Sequence, residues 1–198
     1  LLHVNYGQRT GARELSAFEH IADHYAAEHR LTVDVGHLER IGGSSLVDTS
    51  MQLPTAADDS AVPTTYVPFR NANLLAIAVS WAERIRARAV YIGAHEQESV
   101  YPDCSAAFFE AFGATVSAGT AMKPAITIKT PLLTLDKGGI VQLGRALKAP
   151  LHLTWSCYQS VDRPCGYCHS CELRKRGFDA AGIRDPLATP AANVTGSG

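Results

Sequence analysis

The chain has 198 residues, 46% of them hydrophobic, and a formal net charge of −1 at pH 7. That length and apolar content suit one α/β domain with a small appendage. The near-neutral charge argues against a large nonspecific nucleic-acid surface, and no apolar run approaches the roughly 20 residues that span a membrane. The sequence therefore predicts a protein with neither a membrane nor a nucleic-acid partner.

The apolar periodicity divides the chain into alternating strands and helices. Strands are predicted over residues 1–6, 31–35, 89–93 and 126–130. Helices are predicted over residues 13–28, 71–86, 105–118 and 137–147. Residues 36–62 have no clear period and are rich in small and polar residues, which is typical of a functional loop. The alternation predicts a doubly wound parallel sheet, in which ligands bind at the carboxyl ends of the strands.

Polar side chains follow the predicted strands and would meet at this edge of the sheet. Arginine and lysine at such an edge suit a phosphate or a carboxylate. Taken singly, each motif is explained as well by turn and cap chemistry, with Asn71 and Asp136 as helix caps. Four motifs at one edge favour a binding site. The candidate residues are Tyr6, Gln8, Arg9, Arg70, Asn71, Tyr101, Asp103, Asp136 and Lys137.

Four of the five cysteines form a C-x7-C-x2-C-x2-C pattern: Cys157, Cys165, Cys168 and Cys171. Closely spaced thiolates on tight turns suit a tetrahedral zinc ion. An iron–sulfur cluster and disulfides are the alternatives, although ferredoxin patterns continue to a further cysteine and proline, and disulfides suit small secreted chains without a core. Cys104 is left unpaired. We infer a reducing compartment and expect a cytoplasmic protein.

The cysteine pattern also suggests how the chain is divided. We expect an α/β domain that binds nucleotide and substrate over residues 1–150, and a zinc subdomain with four cysteine ligands over residues 151–185. Residues 186–198 end in Thr-Gly-Ser-Gly and are predicted to be a tail.

An ordered set of motifs resembles the 7-cyano-7-deazaguanine synthases, a family of the pyrophosphate-loop ATPases, from residue 1 to about residue 182. The motifs are YGQR (6–9), TYVPFRN (65–71), YPDC (101–104), TPL…DK (130–137), TWSCY (154–158) and CGYCHSCELR (165–174). The resemblance implies that 7-carboxy-7-deazaguanine, ammonia and ATP are converted into a nitrile. It also implies zinc on the four cysteines, a magnesium ion with the ATP, and a homodimer.

The resemblance further implies roles for individual residues. ATP would activate the carboxylate as an acyl-adenylate, ammonia would give an amide, and a second activation and dehydration would give the nitrile. Arg70, Asp136 and Lys137 are the catalytic candidates, and Arg9 would help to stabilise the pyrophosphate. Asp103 would accept hydrogen bonds from N–H groups of the heterocycle. The candidate substrate- and ATP-binding residues are Tyr6, Gln8, Arg9, Arg70, Asn71, Tyr101 and Asp103.

The chain departs from the family pattern in three places. The Ser-Gly-Gly-x-Asp-Ser phosphate loop is expected upstream of Leu1, so the chain as given is expected to bind ATP poorly. Phe69 stands where many relatives have a small residue, and residues 96–101 are one residue short, with Val100 in place of a glycine. Two alternative functions are therefore considered. A tRNA-thiolating enzyme of the same superfamily would need a catalytic cysteine pair, and a non-catalytic zinc-bearing binding module would need no phosphate loop.

Overall fold

The computed structural model describes residues 1–55, 62–96 and 101–188. The predicted shortening of the segment 96–101 therefore lies largely outside the described residues. The same holds for most of the predicted tail, 186–198, and for residues 56–61 of the predicted loop.

Two pairs of parallel strands form the sheets. The strands are β1 (Leu2–Asn5), β2 (Leu31–Asp34), β3 (Ala89–Tyr91) and β4 (Thr127–Lys129). β1 pairs with β2, with Val4 opposite Val33, and β3 pairs with β4, with Val90 opposite Ile128. The predicted α/β class and the parallel direction are confirmed. The prediction of one continuous sheet is not, because within the described ranges no strand pairing joins β1 to β3.

Helices pack against these strands. They are α1 (Gly11–His24), α2 (His37–Ile41), α3 (Arg70–Arg84), α4 (Ala106–Gly119), α5 (Lys137–Ala146) and α6 (His169–Ala180). The four predicted helices are confirmed, whereas α2 and α6 were not predicted. α1 ends four residues earlier than predicted because Ala26 adopts a left-handed φ of 47° and the Arg30 guanidinium donates to the carbonyl oxygens of Ala22 and Ala27. In the described parts of the chain, no helix has the length and apolar character to cross a membrane.

The start of α3 differs from the prediction that Asn71 caps it. The helix begins at Arg70, and Phe69 takes the cap position in the left-handed region, with φ of 55° and no side-chain cap. The cap comes from a distant segment, since Asp103 Oδ2 accepts the Asn71 N–H at 2.8 Å. Asp136, in contrast, does cap its own helix, because its carboxylate accepts the backbone N–H of Gly139 at 2.7 Å.

Helix α3 lies between the two sheets and contributes to the core on both sides. Its Ile77 packs against the cluster beneath β1 and β2. Leu75 and Val79 pack against the clusters beneath β3 and β4, together with Phe109 and Val116 of α4. The apolar face of one helix therefore holds both strand pairs.

A cavity of about 670 Å³, here called the central cleft, separates β1 from β3. Leu2 and Val4 line it from β1, Ala89 and Tyr91 from β3, and Trp81 from α3. Within the described chain each of these two strands pairs on one side only. The central cleft is thus an apolar trench between two strands, with α3 as its floor.

The C-terminal helix α6 packs closely against α5. A Cβ atom added at Gly177 of α6 would lie 2.7 Å from the Cβ and 3.0 Å from the backbone oxygen of Lys137. One turn away along the same interface, a Cβ at Gly138 would lie 3.1 Å from the Ala180 Cβ. The close approach of the two helices therefore depends on glycine at these positions.

We expect Gly177→Ala to lower the free energy of unfolding by about 1–3 kcal/mol, because the added methyl group meets backbone that cannot move freely. The matched control is Gly113→Ala in the middle of α4, where an added Cβ meets nothing within 4 Å. That variant should gain about 0.5–1 kcal/mol from the better helix propensity of alanine. Urea unfolding of both variants measures the difference, and equal stability of Gly177→Ala and wild type would contradict the packing.

Candidate functional site

A half-buried arginine stands at the end of the central cleft, where β1 and β3 end. Arg70 is the first residue of α3 and lines the central cleft together with Tyr6 and Gly93. Its Nη1 donates to the Tyr6 hydroxyl at 3.3 Å, and its guanidinium carbon lies 5.7 Å from the centre of the Tyr6 ring. Tyr6 directly follows β1. The structure thus brings together two residues that the sequence predicted at this edge.

The phenols of Tyr6, Tyr101 and Tyr158 are electrostatic neighbours of this guanidinium, and we call the group of Arg70, Tyr6, Tyr101 and Tyr158 the arginine site. Burial raises the pKa of Tyr6 and of Tyr158 above the ordinary value, so both phenols are neutral at pH 7. Burial lowers the pKa of Arg70, but its tyrosine neighbours raise this pKa by more. The net effect is a raised pKa.

Arg70 has no carboxylate partner among the described residues. The ion pairs found there are Arg30–Asp23, Arg174–Asp185 and Lys175–Asp179. A guanidinium removed from water normally pairs with a carboxylate or phosphate, since an uncompensated buried charge is costly. The arginine site therefore offers a positive charge that neutral groups hold in place, and it can bind an anion.

Tyr101 directly precedes the short 3₁₀ segment Pro102–Cys104, which contains Asp103. The Tyr101 hydroxyl is 2.6 Å from Thr65 Oγ1. Asp103 is only 3% exposed, and it accepts from Asn71 through both Oδ2 and its backbone oxygen, the latter at 2.9 Å. Asn71 Nδ2 also reaches Cys104 Sγ at 3.2 Å. These contacts fix the start of α3, and with it the position of Arg70.

Gln8 and Arg9 are engaged by the protein itself. Gln8 accepts the Tyr6 N–H at 2.9 Å and donates to Glu14 at 3.1 Å, which closes the turn after β1. The Arg9 guanidinium donates to three backbone oxygens of the following loop, those of Ser45, Asp48 and Met51. Both side chains shape the surroundings of Tyr6, and neither is directed at Arg70 by a hydrogen bond.

Asp136 and Lys137 lie elsewhere. Asp136 is exposed and caps α5, while Lys137 lines a second cavity, of about 230 Å³, between α5 and α6. Trp155 and Ser170 share that cavity, and neither Asp136 nor Lys137 lines the central cleft. The structure therefore does not bring these two predicted catalytic residues into the lining of the cleft that holds Arg70.

The four predicted metal ligands converge at one point, here called the cysteine cluster (Cys157, Cys165, Cys168 and Cys171). Their Sγ atoms all lie within 4.8 Å of one another, and Cys165 and Cys171 are 3.9 Å apart. Thiolates at about 2.3 Å from a tetrahedral zinc ion are separated by about 3.8 Å, whereas a disulfide requires about 2.05 Å. All four thiols are free, so the cluster fits one metal ion such as zinc.

Backbone N–H groups point at the sulfurs of the cysteine cluster. Cys157 Sγ accepts from Gln159 at 3.4 Å, Ser160 at 3.3 Å and Cys165 at 3.4 Å. Cys168 Sγ accepts from the Tyr158 N–H, and a hydrogen bond from Cys171 lowers the pKa of Cys168. Such donors stabilise negative charge on sulfur. Local sequence supplies the geometry: Gly166 takes a φ of 81° at the turn between two ligands.

Sequence reasoning missed Tyr158 as a site residue. It packs both against the cysteine cluster and against the core beneath β1, and its hydroxyl hydrogen-bonds to Ser170 in the first turn of α6. The available signal was its place directly after the ligand Cys157. Thr65 was missed as well, because nothing local indicates that its hydroxyl meets Tyr101 thirty-six residues later.

Comparison with known proteins identifies the family. Residues 1–182 match the family model described as "Queuosine biosynthesis protein QueC". The chain belongs to this family. Curated relatives named 7-cyano-7-deazaguanine synthase are 51% identical in Chlorobium phaeobacteroides and 49% identical in Chlorobaculum parvum, each over 188 residues. A relative of the same name in Chloroherpeton thalassium is 50% identical over 188 residues. Each match covers 94% of this chain and 83% of the relative, and the resemblance read from the motifs is confirmed.

We expect Cys168→Ser to lose the metal and to lower the melting temperature strongly, because a structural metal contributes directly to the free energy of folding. Elemental analysis of protein purified without chelators, together with a melting curve, measures both effects. Cys104→Ala is the control. Cys104 lies outside the cysteine cluster, so this variant should keep one zinc per chain. Iron with visible absorbance, or no metal in the wild type, would refute a zinc site.

Proposed function

We propose that this chain is an enzyme that makes 7-cyano-7-deazaguanine from 7-carboxy-7-deazaguanine, ammonia and ATP. Its curated relatives carry that name. The observation that carries the proposal is the arginine site: a guanidinium without a carboxylate partner among the described residues, at the carboxyl ends of β1 and β3, each of which belongs to a parallel pair. Parallel α/β folds bind ligands at that edge, and both the acid and ATP bring an anionic group to it.

The proposed reaction converts a carboxylate into a nitrile in two activations. The carboxylate oxygen attacks the α-phosphorus of ATP, which gives an acyl-adenylate and releases pyrophosphate. Ammonia attacks the acyl carbon, AMP leaves with one carboxylate oxygen, and a primary amide remains. The amide oxygen attacks a second ATP in the same way. It then leaves with the second AMP while the nitrogen loses its protons, so the nitrile forms without release of free water.

Within this reaction, Arg70 would hold the anionic group, either the substrate carboxylate or a phosphate of ATP. Tyr6 and Tyr101 would orient its guanidinium, and the pairing of Asn71 with Asp103 would fix the helix that carries it. Asp103 has a second carboxylate oxygen, Oδ1, which we propose for the N–H groups of the heterocycle.

Gln8 and Arg9 are proposed to act by holding the turn after β1 and the loop 45–51, because their side chains already bind that backbone. Lys137 is proposed to stabilise the pyrophosphate, and Asp136 is kept as a catalytic candidate in addition to its role as the cap of α5.

The cysteine cluster is proposed to hold a structural zinc ion, which would supply folding free energy and no step of the reaction.

We keep the division into an α/β domain over 1–150, a zinc subdomain over 151–185 and a tail over 186–198. We also propose a homodimer, as the family resemblance implies. A cytoplasmic location agrees with five free thiols, because disulfides form in oxidising compartments.

The alternative of a tRNA-thiolating enzyme finds little support. Such chemistry needs a pair of reactive cysteines, and outside the cysteine cluster the chain has Cys104 alone. Cys104 is 7% exposed and accepts a hydrogen bond from Asn71. The turnover experiment below distinguishes an enzyme from a non-catalytic binding module.

We further propose that the two sheets are halves of one doubly wound parallel sheet, completed by a strand in the central cleft. β1 and β3 both line the cleft, and each pairs on one side only in the described residues. About one sixth of each curated relative lies outside the match, enough for a strand and a helix of ordinary length. That strand would lead into the phosphate loop for Mg-ATP, next to Arg70, with backbone N–H groups at a helix start.

We expect Arg70→Ala in the full-length enzyme to lower kcat/KM about 100-fold or more, while the melting temperature changes little, because the positive charge serves the ligand rather than the fold. Arg84→Ala, an exposed arginine at the other end of the same helix, is the control and should behave as wild type. Nitrile formation is followed by chromatography with 7-carboxy-7-deazaguanine, ammonium and ATP. Normal turnover in Arg70→Ala would remove this residue from the site, and a wild type without turnover would contradict the enzyme proposal.

We expect the 198-residue chain to bind Mg-ATP weakly, and a chain extended upstream by the strand and phosphate loop to bind it about tenfold more tightly or better. Calorimetric titration of both chains with ATP and magnesium measures this. Equal, tight binding by the shorter chain would place the nucleotide site wholly within it and would contradict the proposed strand.

A further inference from the structure

An exposed aromatic side chain stands directly before Arg70. Phe69 is 60% exposed, and its backbone lies in the left-handed region, with φ of 55° and ψ of 28°. A bulky residue is an outlier there, because its Cβ comes too close to neighbouring backbone. An apolar ring left in water and a strained backbone both oppose folding. The stability of the chain therefore explains neither feature.

Three hydrogen bonds hold Phe69 in this conformation. The Tyr66 hydroxyl accepts the Phe69 N–H at 3.1 Å, and Asn73 Nδ2 donates to the Phe69 carbonyl oxygen at 2.9 Å. His37 of α2 donates from Nε2 to Asn73 Oδ1 at 3.0 Å, which fixes the orientation of that amide. Strained residues persist where their neighbours determine them in this way, and they cluster at ligand sites.

Helix α4 orients the ring of Phe69. The ring centre lies 6.2 Å from that of Phe108, and the two planes are 77° apart, so the rings meet edge to face. Phe108 in turn packs against the apolar cluster beneath β3 and β4 that contains Leu75 and Phe109. An edge-to-face contact covers at most one face of a ring. With most of its side chain exposed, Phe69 can also take a flat ring in an offset parallel stack.

The position of Phe69 suits one of the two proposed anionic ligands of Arg70. In 7-carboxy-7-deazaguanine the carboxylate carbon is bonded directly to a flat bicyclic ring, so a carboxylate held by Arg70 would bring that ring close to the neighbouring residue. In ATP, a ribose separates the phosphates from the flat base. Phe69 does not line the central cleft. A ring stacked on it would therefore not compete with the strand that we propose for the cleft.

We propose that Phe69 is a specificity-determining residue that stacks on the flat ring of 7-carboxy-7-deazaguanine while Arg70 holds its carboxylate. This inference rests on the proposed function and selects the acid rather than ATP as the ligand of Arg70. The hydrogen bonds around Phe69 hold the ring in place before the ligand arrives, so little conformational freedom is lost on binding.

The test is Phe69→Gly in the full-length enzyme, with melting temperature and both KM values measured. Loss of a base–aromatic stack should raise the KM for 7-carboxy-7-deazaguanine about tenfold and leave the KM for ATP unchanged. The melting temperature should not fall, because glycine adopts this backbone without strain. Phe69→Trp keeps a flat ring and should keep a KM for the acid close to that of the wild type. A merely structural role would not separate affinity from stability in this way.

Lys148→Gly is the matched control for the backbone. Lys148 has the same φ of 55° at the end of α5, and its side chain is exposed. Glycine should relieve the backbone there as it does at Phe69, while both KM values stay at those of the wild type. The control thus separates the effect of the aromatic ring from the effect of a relaxed backbone.

Three results in Phe69→Gly would overturn the inference. An unchanged KM for the acid would remove the stack, a rise in the KM for ATP alone would assign the ring to adenine, and a changed oligomeric state in sedimentation would assign it to a second copy of the chain. If this variant fails to fold, Phe69→Leu replaces it. Leucine keeps an apolar side chain without a flat ring, so the KM for the acid should still rise, and an unchanged value would equally contradict the stack. Absence of nitrile formation by the wild type would contradict the proposed function instead.

Discussion

The convergence of four sulfurs within 4.8 Å is the constraint on which the C-terminal part of the structure depends. Thiolates so close repel one another unless a cation lies between them, and the surrounding N–H donors show that the backbone is arranged for negative charge on sulfur. Two of the ligands, Cys168 and Cys171, stand at the start of α6. The cluster therefore sets where α6 begins, how its Gly177 meets α5, and where the phenol of Tyr158 points.

In the arginine site, phenols rather than carboxylates lie near a positive charge. A carboxylate beside Arg70 would hold it more strongly than a phenol, by several kcal/mol at an effective dielectric of about 20, but it would also neutralise the charge that a ligand needs. Phenols avoid this conflict. Burial raises the pKa of Tyr6 and Tyr158, so both phenols stay neutral near the guanidinium, and the Tyr6 hydroxyl accepts its hydrogen bond. The positive field remains available to a carboxylate or phosphate.

Sequence predicted the parts of this molecule that depend on local pattern. The alternation of apolar residues located four strands and four helices, and the cysteine spacing located the cluster. What it missed depends on contacts between distant segments. The cap of α3 comes from Asp103 rather than from Asn71, and no local pattern indicates that the Arg9 guanidinium donates to loop carbonyls of residues 45–51. Helix α6 was missed because its first turn was assigned only to metal binding.

The separation of the strands into two pairs was also not predicted, because strand pairing depends on contacts between distant segments rather than on local pattern. A local pattern predicts that a segment is a strand, but pairing requires a neighbour with free N–H and C=O groups at the right distance. The central cleft is mostly apolar along β1, β3 and α3, and both Glu14 and Arg70 line it as charged residues. A mostly apolar lining suits a buried strand better than a triphosphate, and such a strand would satisfy two strand edges at once. The proposed strand would therefore occupy the central cleft, and the proposed ligand site would lie at its end, beside Arg70.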